Sequence, residues 1–288
     1  MNTTHTPPLW KASVTLPKEH APDIAALLEL TPPAPQAVLI AEEPFSPNAT
    51  VDALYIDEPD TAFLRHLTGL PVEAAPLPDQ DWIRLSQEGL PPVRAGRFFV
   101  YGMHDFGKVP PGVIPLRIEA GLAFGTGHHE TTALCLTALS LIAREKRCTR
   151  VLDVGCGTGV LAIAAAKLWK RRVLATDIDP VAVDVTRENA RTNGVSPLIS
   201  AAIAEGMTHP VIRANAPYDL ILANILAGPL TQLALPLTAL VAPGGVVVLS
   251  GLLRWQENMV LSFYRPQGLQ LREALRQGPW TALVLGRP

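Results

Sequence analysis

RVLDVGCGTGVLAIAAAKLW, running from Arg150 to Trp169, decides the fold. Its first part, Arg150–Gly155, is an apolar run of the kind that forms a strand covered on both faces. Its last part, Val160–Trp169, is alanine-rich and long enough for a helix. Between them stands Asp153-Val154-Gly155-Cys156-Gly157-Thr158-Gly159. Glycines at alternate places, Gly155 and Gly157 first, let the backbone come into contact with a ligand where any Cβ would intrude. Strand, glycine turn and helix in that order open a nucleotide-type α/β sheet.

The pattern continues toward the C-terminus. Arg172–Asp177 reads as a second strand, and Pro180–Asn193 as a helix with proline in its first turn and Asn193-Gly194 as its stop. Further strands are expected at Leu198–Ile203, Tyr218–Ile225 and Val246–Leu249, with helices at 229–240 and 254–265. Leu269–Leu275 and Trp280–Leu285 close the chain as a hairpin turned by Gln277-Gly278-Pro279. Alternating strands and helices give a mostly parallel sheet buried on both faces, ending in an antiparallel hairpin.

N-terminal to that run the composition changes. Of 28 prolines, 18 precede Gly125; residues 1–100 hold 6 Lys/Arg against 13 Asp/Glu, and residues 101–288 hold 18 against 13. An acidic front piece of −7 is therefore joined to a rear piece of +5, although the whole chain carries only −2. Such a shift marks two domains. The expected division is 1–101 as a small α+β sandwich, 102–115 as a proline- and glycine-rich linker, and 116–288 as the catalytic domain. Front strands are expected at Trp10–Leu16, Val38–Ala41, Ala53–Ile56, Trp82–Leu85 and Gly96–Tyr101, with helices at Asp23–Leu30 and Glu58–Leu67.

Composition also excludes whole classes. A net charge of −2 argues against a polybasic nucleic-acid binder. Cys135, Cys148 and Cys156 lack CxxC spacing and cannot all pair, so a reducing cytosol is expected rather than a disulfide framework. No basic and apolar leader opens the chain, and no run of about 18 apolar residues occurs, so neither a signal peptide nor a membrane span is expected. The protein is expected to be soluble and monomeric.

Asp177 lies 22 residues beyond Gly155, at the end of the second strand. That spacing sets a carboxylate beside the ribose hydroxyls of an adenosine cofactor. A dinucleotide site prefers GxGxxG; GxGxG behind an acid suits S-adenosyl-L-methionine, which has no pyrophosphate. A second constellation, GLAFGTGHHETT (Gly121–Thr132), precedes the first strand and is expected to close over the ligand, with a helix starting at Thr131 or Thr132. Its adjacent histidines lack HExxH spacing, so no metal site is expected. Asn224, in Ala223-Asn224-Ile225-Leu226, ends the fourth strand. Its amide carbonyl can accept a hydrogen bond from a substrate amine; turn chemistry is the plain alternative. Cys156 and Cys135 read as core rather than as nucleophiles.

AFGTGHHETT, VLDVGCGTGVLAIAAAKL, TDIDPVAV with RENARTNGV, ANILAGPL and LVAPGGVVVLSGLL resemble the PrmA family, over roughly residues 116–255 and in the right order. WIRLSQEGLPPVRAGRFFV is similar too, whereas residues 1–80 match loosely. Members methylate the ribosomal large-subunit protein numbered eleven. The resemblance implies a class I methyltransferase fold and S-adenosyl-L-methionine as donor. It further implies trimethylation of lysine ε-amines and an N-terminal α-amine, and a front domain that recognises the substrate. It makes Thr132, Gly155, Asp177 and Asn224 cofactor contacts, with Phe124 and Gly127 nearby. His128-His129-Glu130 departs from the Thr-His-Pro of many members.

An acidic front domain suits a basic ribosomal protein as partner, with no direct nucleic-acid readout. The sulfonium activates its own methyl, so alignment of donor and amine is the main task. Presenting a neutral lysine near pH 7.4 costs about 4 kcal/mol, which desolvation lowers. No general base is assigned. One rival reading is a nucleic-acid N-methyltransferase acting on ribosomal RNA, which would show Asn-Pro-Pro-Tyr/Phe at Asn224-Ile225-Leu226-Ala227. The other is a non-catalytic module that kept the fold.

Overall fold

The computed structural model describes residues 10–35, 37–42, 46–76, 92–118 and 128–288. The chain divides into two compact units, the first within residues 1–89 and the second formed by 90–123 and 129–288.

In the first unit, β1 (Trp10–Pro17), β2 (Ala37–Glu42), β3 (Asn48–Tyr55) and β4 (Glu73–Pro76) form one sheet in the order β2-β3-β1-β4, antiparallel throughout. Every second residue of β1 (Ala12, Val14, Leu16) is buried, and so are Ala49, Val51 and Ala53 of β3. That period of two leaves a single apolar face. Helices α1 (Ala21–Glu29) and α2 (Thr61–Thr68) cover it with Ile24, Leu28 and Leu64. Asp60 caps α2, accepting from the amides of Ala62 and Phe63 at 3.0 Å. The result is a two-layer α+β sandwich. Its β3 begins five residues before the expected Ala53, and β4 carries no strand-like composition.

The second unit opens with β5 (Val93–Ala95), β6 (Phe98–Tyr101) and β7 (Ile114–Arg117), where β6 pairs antiparallel with β5 and parallel with β7. Of the segment expected to be a linker, 102–115, residues 102–113 are therefore the crossover between two paired strands, with a 3-10 turn at Met103–Lys108, and Ile114 and Pro115 belong to β7. Strand Gly96–Tyr101, expected in the front domain, belongs to this unit instead. The physical reason is contact with distant residues of this unit: the Arg97 amide donates to Ser140 Oγ at 3.0 Å, and Lys167 Nζ donates to the carbonyl of Pro115 at 2.5 Å. The expected strand Trp82–Leu85 lies outside the described residues.

The remainder is α3 (His128–Glu145), β8 (Val151–Val154), α4 (Val160–Trp169), β9 (Val173–Asp177), α5 (Pro180–Thr192), β10 (Ile199–Ile203), α6 (Pro210–Ala214), β11 (Tyr218–Asn224), α7 (Ala227–Thr238), β12 (Val241–Leu253), α8 (Glu257–Tyr264), β13 (Gln270–Gln277) and β14 (Trp280–Gly286). The seven strands run β10-β9-β8-β11-β12-β14-β13, parallel except for β14, which is antiparallel to both its neighbours. Central strands β8, β11 and β14 are buried nearly throughout, while edge strand β13 is mostly exposed. Helix α3 starts at His128, three or four residues before the expected Thr131 or Thr132, with Glu130 in its first turn where a carboxylate favours the helix dipole. Thr131 and Thr132 are thus buried helical residues, not loop residues.

Candidate active site

The carboxyl ends of β8, β9 and β11 converge. Gly155 follows β8 with φ +66°, and Gly157 has φ +51°. An added Cβ at Gly155 would overlap Ile225 Cγ2, the residue directly after β11 and Asn224; one at Gly157 would meet nothing within 4 Å among the described residues. Gly155 is therefore fixed by packing as well as by backbone, whereas Gly157 offers its bare face outward.

Two neighbouring elements hold the glycine turn in shape. From β9, the Thr176 carbonyl accepts from the Cys156 amide at 3.0 Å, and Asp177 Oδ2 accepts from the Gly157 amide at 2.9 Å. Asp177 Oδ1 accepts from the Asp179 amide at 3.1 Å. From α5, Thr186 Oγ1 donates to the Gly157 carbonyl at 2.9 Å, and Asn189 Nδ2 to the Thr158 carbonyl at 2.9 Å. Thr186 and Asn189 are buried polar residues three apart on one helix face. Their signal in the sequence was that spacing within TRENA, which the glycine motif overshadowed.

Asp153 lies beneath the turn at 1% exposure, and its Oδ2 accepts from the Ala162 amide at 3.0 Å. Burial pushes its carboxyl up to about 7, with the nearby Asp177 charge acting in the same direction. Cys156 is buried, takes a hydrogen bond from Thr186 Oγ1 at 3.3 Å, and is held as a thiol by burial. It belongs to the core, as does Cys135, pushed up to about 12 by burial.

Asn224 ends β11 one residue after Ala223, which pairs with Val154. This register sets Asn224 beside the start of the glycine turn. Its Nδ2 lies 3.5 Å from Thr132 Oγ1, whereas its Oδ1 is buried and accepts no hydrogen bond among the described residues. Thr132 is buried on α3, and the preceding Thr131 carbonyl accepts from Ser250 Oγ of β12 at 3.4 Å. Glu130, directly before Thr131, is half-buried, and burial raises its carboxyl pKa, with Trp280 opposing the shift through a hydrogen bond. Around Asp177, Ile178 is 71% exposed, and Ile203, its partner in register with Asp177, is 51% exposed. Thr132, Gly155, Gly157, Asp177 and Asn224 thus gather at one sheet edge. Phe124 and Gly127 lie outside the described residues.

This arrangement fits S-adenosylmethionine. Asp177 has lone pairs for hydroxyls, apolar surface flanks it, Gly157 leaves room for close approach, and Asn224 Oδ1 is a buried acceptor without a donor.

The family model for ribosomal protein L11 methyltransferases (PrmA) matches residues 38–288. The chain belongs to the PrmA family. A ribosomal protein L11 methyltransferase from Caulobacter sp. is 48% identical over 234 residues, 81% of each chain. Another, from Brucella suis, is 52% identical over 209 residues, 73% of each chain. The crystal structure of a ribosomal protein L11 methylase from Lactobacillus delbrueckii subsp. bulgaricus is 30% identical, with a TM-score of 0.59, over 68% of this chain and 98% of that one. The fold is that of a class I methyltransferase, and S-adenosylmethionine is the PrmA methyl donor.

Proposed function

We propose that the chain methylates amines of ribosomal protein L11 in the cytoplasm, transferring methyl groups to lysine ε-amines and to an N-terminal α-amine up to the trimethylated state. The single observation that carries this reading is the buried Asn224 Oδ1, an acceptor with no donor among the described residues, at the sheet edge that gathers the glycine turn. An incoming amine supplies that donor, and the amide carbonyl fixes the direction of the nitrogen lone pair.

Bound S-adenosylmethionine supplies an electrophilic methyl on a sulfonium and needs no further activation. With the donor bound, Asp177 would act as acceptor for the ribose hydroxyls, and the exposed side chains of Ile178 and Ile203 would offer the purine an apolar surface. Gly157 would leave the backbone open to the ligand and Gly155 keeps the turn close against Ile225, while Thr132 holds the Asn224 amide by its Nδ2. The substrate is the basic protein itself, attracted by the −7 of residues 1–100, and the enzyme acts as a monomer.

The test is incubation of the full chain with isotope-labelled S-adenosylmethionine, unmodified ribosomal proteins and ribosomal RNA, read by mass spectrometry of intact proteins and peptides. Mono-, di- and trimethyl masses on lysine and N-terminal peptides of one ribosomal protein are expected. Label on RNA alone, on other side chains, or on nothing rejects the reading.

A further inference from the structure

The opposite edge of the same sheet has a different character. Val151 of β8 pairs with Val173 of β9, so Arg150 and Arg172 stand side by side just before the two strands. Both line a cavity of about 360 Å³ together with Thr149, Ser200 and Asn215. Both guanidiniums are exposed, and neither forms an ion pair among the described residues.

The charge around this cavity is lopsided. Segments 144–150, 170–172 and 213–219 carry eight Lys/Arg and two carboxylates, Glu145 and Asp219. Asp219 is occupied: its Oδ2 accepts from Thr149 Oγ1 and from the amides of Thr149 and Arg150. Some of the cations serve the fold. Lys146 Nζ donates to the Gly244 carbonyl of β12 at 2.9 Å, and an Arg147 nitrogen donates to the Trp169 carbonyl at the end of α4 at 3.1 Å, where a cation suits the helix dipole. Those carbonyls are neutral, so both positive charges persist. Arg150 and Arg172 precede strands and cap nothing.

We propose that this amino-terminal edge of the sheet is a docking face for the phosphate backbone of RNA, with Arg150 and Arg172 gripping phosphates at the cavity. Three features select RNA over other polyanions. Six of the eight cations are arginines, whose planar fork matches phosphate oxygens. None of the exposed large apolar side chains falls within these segments, whereas protein interfaces have an apolar core and membrane-surface sites an apolar face to insert. The cavity lining adds the Ser200 hydroxyl and the Asn215 amide, in keeping with the polar, positive and wet character of nucleic-acid interfaces. The face lies at the strand ends remote from Asp177 and Asn224, so RNA bound there is held, not methylated. The contact reads backbone charge and leaves base sequence unread.

The experiment measures anisotropy of a labelled single-stranded RNA of about 20 nucleotides with the full chain, between about 50 and 200 mM salt. Binding is expected to weaken with salt, with a log–log slope of about −0.7 per phosphate engaged. The double variant Arg150→Ala/Arg172→Ala is expected to bind about tenfold more weakly at low salt and to lower the slope by about 1 to 2. Its thermal midpoint and S-adenosylmethionine affinity are expected to stay at wild-type values, which separates lost docking from lost folding. Wild-type RNA binding by the double variant overturns the proposal. Polyglutamate of matched charge binding as tightly as RNA assigns the face to an acidic protein and overturns it too. So does displacement of the RNA by submillimolar inorganic phosphate, or methyl transfer to the RNA. Because RNA binding is read directly, the result stands apart from which amine the enzyme methylates.

Discussion

Asn224 Nδ2 and Thr132 Oγ1 lie 3.5 Å apart although 92 positions separate them, and the contact leaves Asn224 Oδ1 aimed away from Thr132 without a donor. One end of the amide is held, and the other is left for a ligand.

Asn224→Ala is therefore expected to lower kcat by about a hundredfold, the scale of a misplaced reacting group. S-adenosylmethionine affinity should fall by less than about tenfold, the scale of one neutral hydrogen bond. Thr132→Val, which keeps the shape and removes the hydroxyl, should reproduce a smaller part of the kcat loss. Steady-state kinetics and calorimetry measure the two quantities separately. Equal losses in both reduce Asn224 to a cofactor contact.

Asp177 plays two parts, since its carboxylate takes the Gly157 amide at 2.9 Å while remaining partly exposed. Asp177→Ala removes a charge-assisted hydrogen bond of about 1.5–3 kcal/mol, which corresponds to a donor affinity weakened by about 10- to 100-fold. Calorimetric titration with S-adenosylmethionine reads this directly. An unchanged Kd would leave Asp177 as a brace for the turn alone.

Gly155→Ala meets two obstacles, a positive φ and Ile225 Cγ2. The backbone part costs about 1–2 kcal/mol, and the overlap adds to it. In the double variant Gly155→Ala/Ile225→Ala the overlap is gone but the backbone part remains. Urea unfolding of the two single variants and the double variant should show a positive coupling of the pair. Simple additivity would mean that Ile225 moves aside without cost.

Asp153 gives stability a particular pH dependence. Its carboxyl is raised from 3.8 to about 7 in the folded state, chiefly by burial. Between those values the unfolded chain has released the proton and the folded chain retains it, so stability falls as pH rises. Below the lower value and above the higher one the contribution is flat. Asp153→Asn removes this dependence. Relative to that variant, the wild type should lose up to about 4 kcal/mol between pH 4 and pH 7 in denaturant unfolding. A difference that grows instead as pH falls would contradict a carboxyl raised by burial.

What could be read from the chain beforehand was whatever local chemistry settles. Helix α4 has the expected bounds, because its alanine-rich run follows the glycine turn directly and stops where the polar Lys170 takes a left-handed cap. Helix α5 starts at Pro180, capped by Asp179 Oδ1 on the Val181 amide, and Gly194 takes the left-handed turn expected after it. What escaped notice depends on distant partners. β7 exists because β6 accepts it, and within 102–115 only prolines and glycines are visible. β12 begins at Val241, well before the expected Val246, since pairing with Tyr218 carries the strand across Pro243-Gly244-Gly245. The short α6 hides between two prolines in a polar stretch. In the site, Gly155, Gly157 and Asp177 were legible from spacing alone. The grip of Thr132 on Asn224 was not, because no local pattern links residues so far apart.

Strand β14 follows β13 in the chain yet lies between β12 and β13, fully buried. During synthesis, β12 thus emerges long before the strand that will cover its edge. A nascent chain halted before Trp280 would present an open row of backbone donors and acceptors on Val246, Val247, Val248 and Leu249, the residues β14 pairs with. Closure of the catalytic sheet must therefore wait for translation to pass β14. Shortening the chain by that one strand would yield an aggregating product rather than a weaker enzyme.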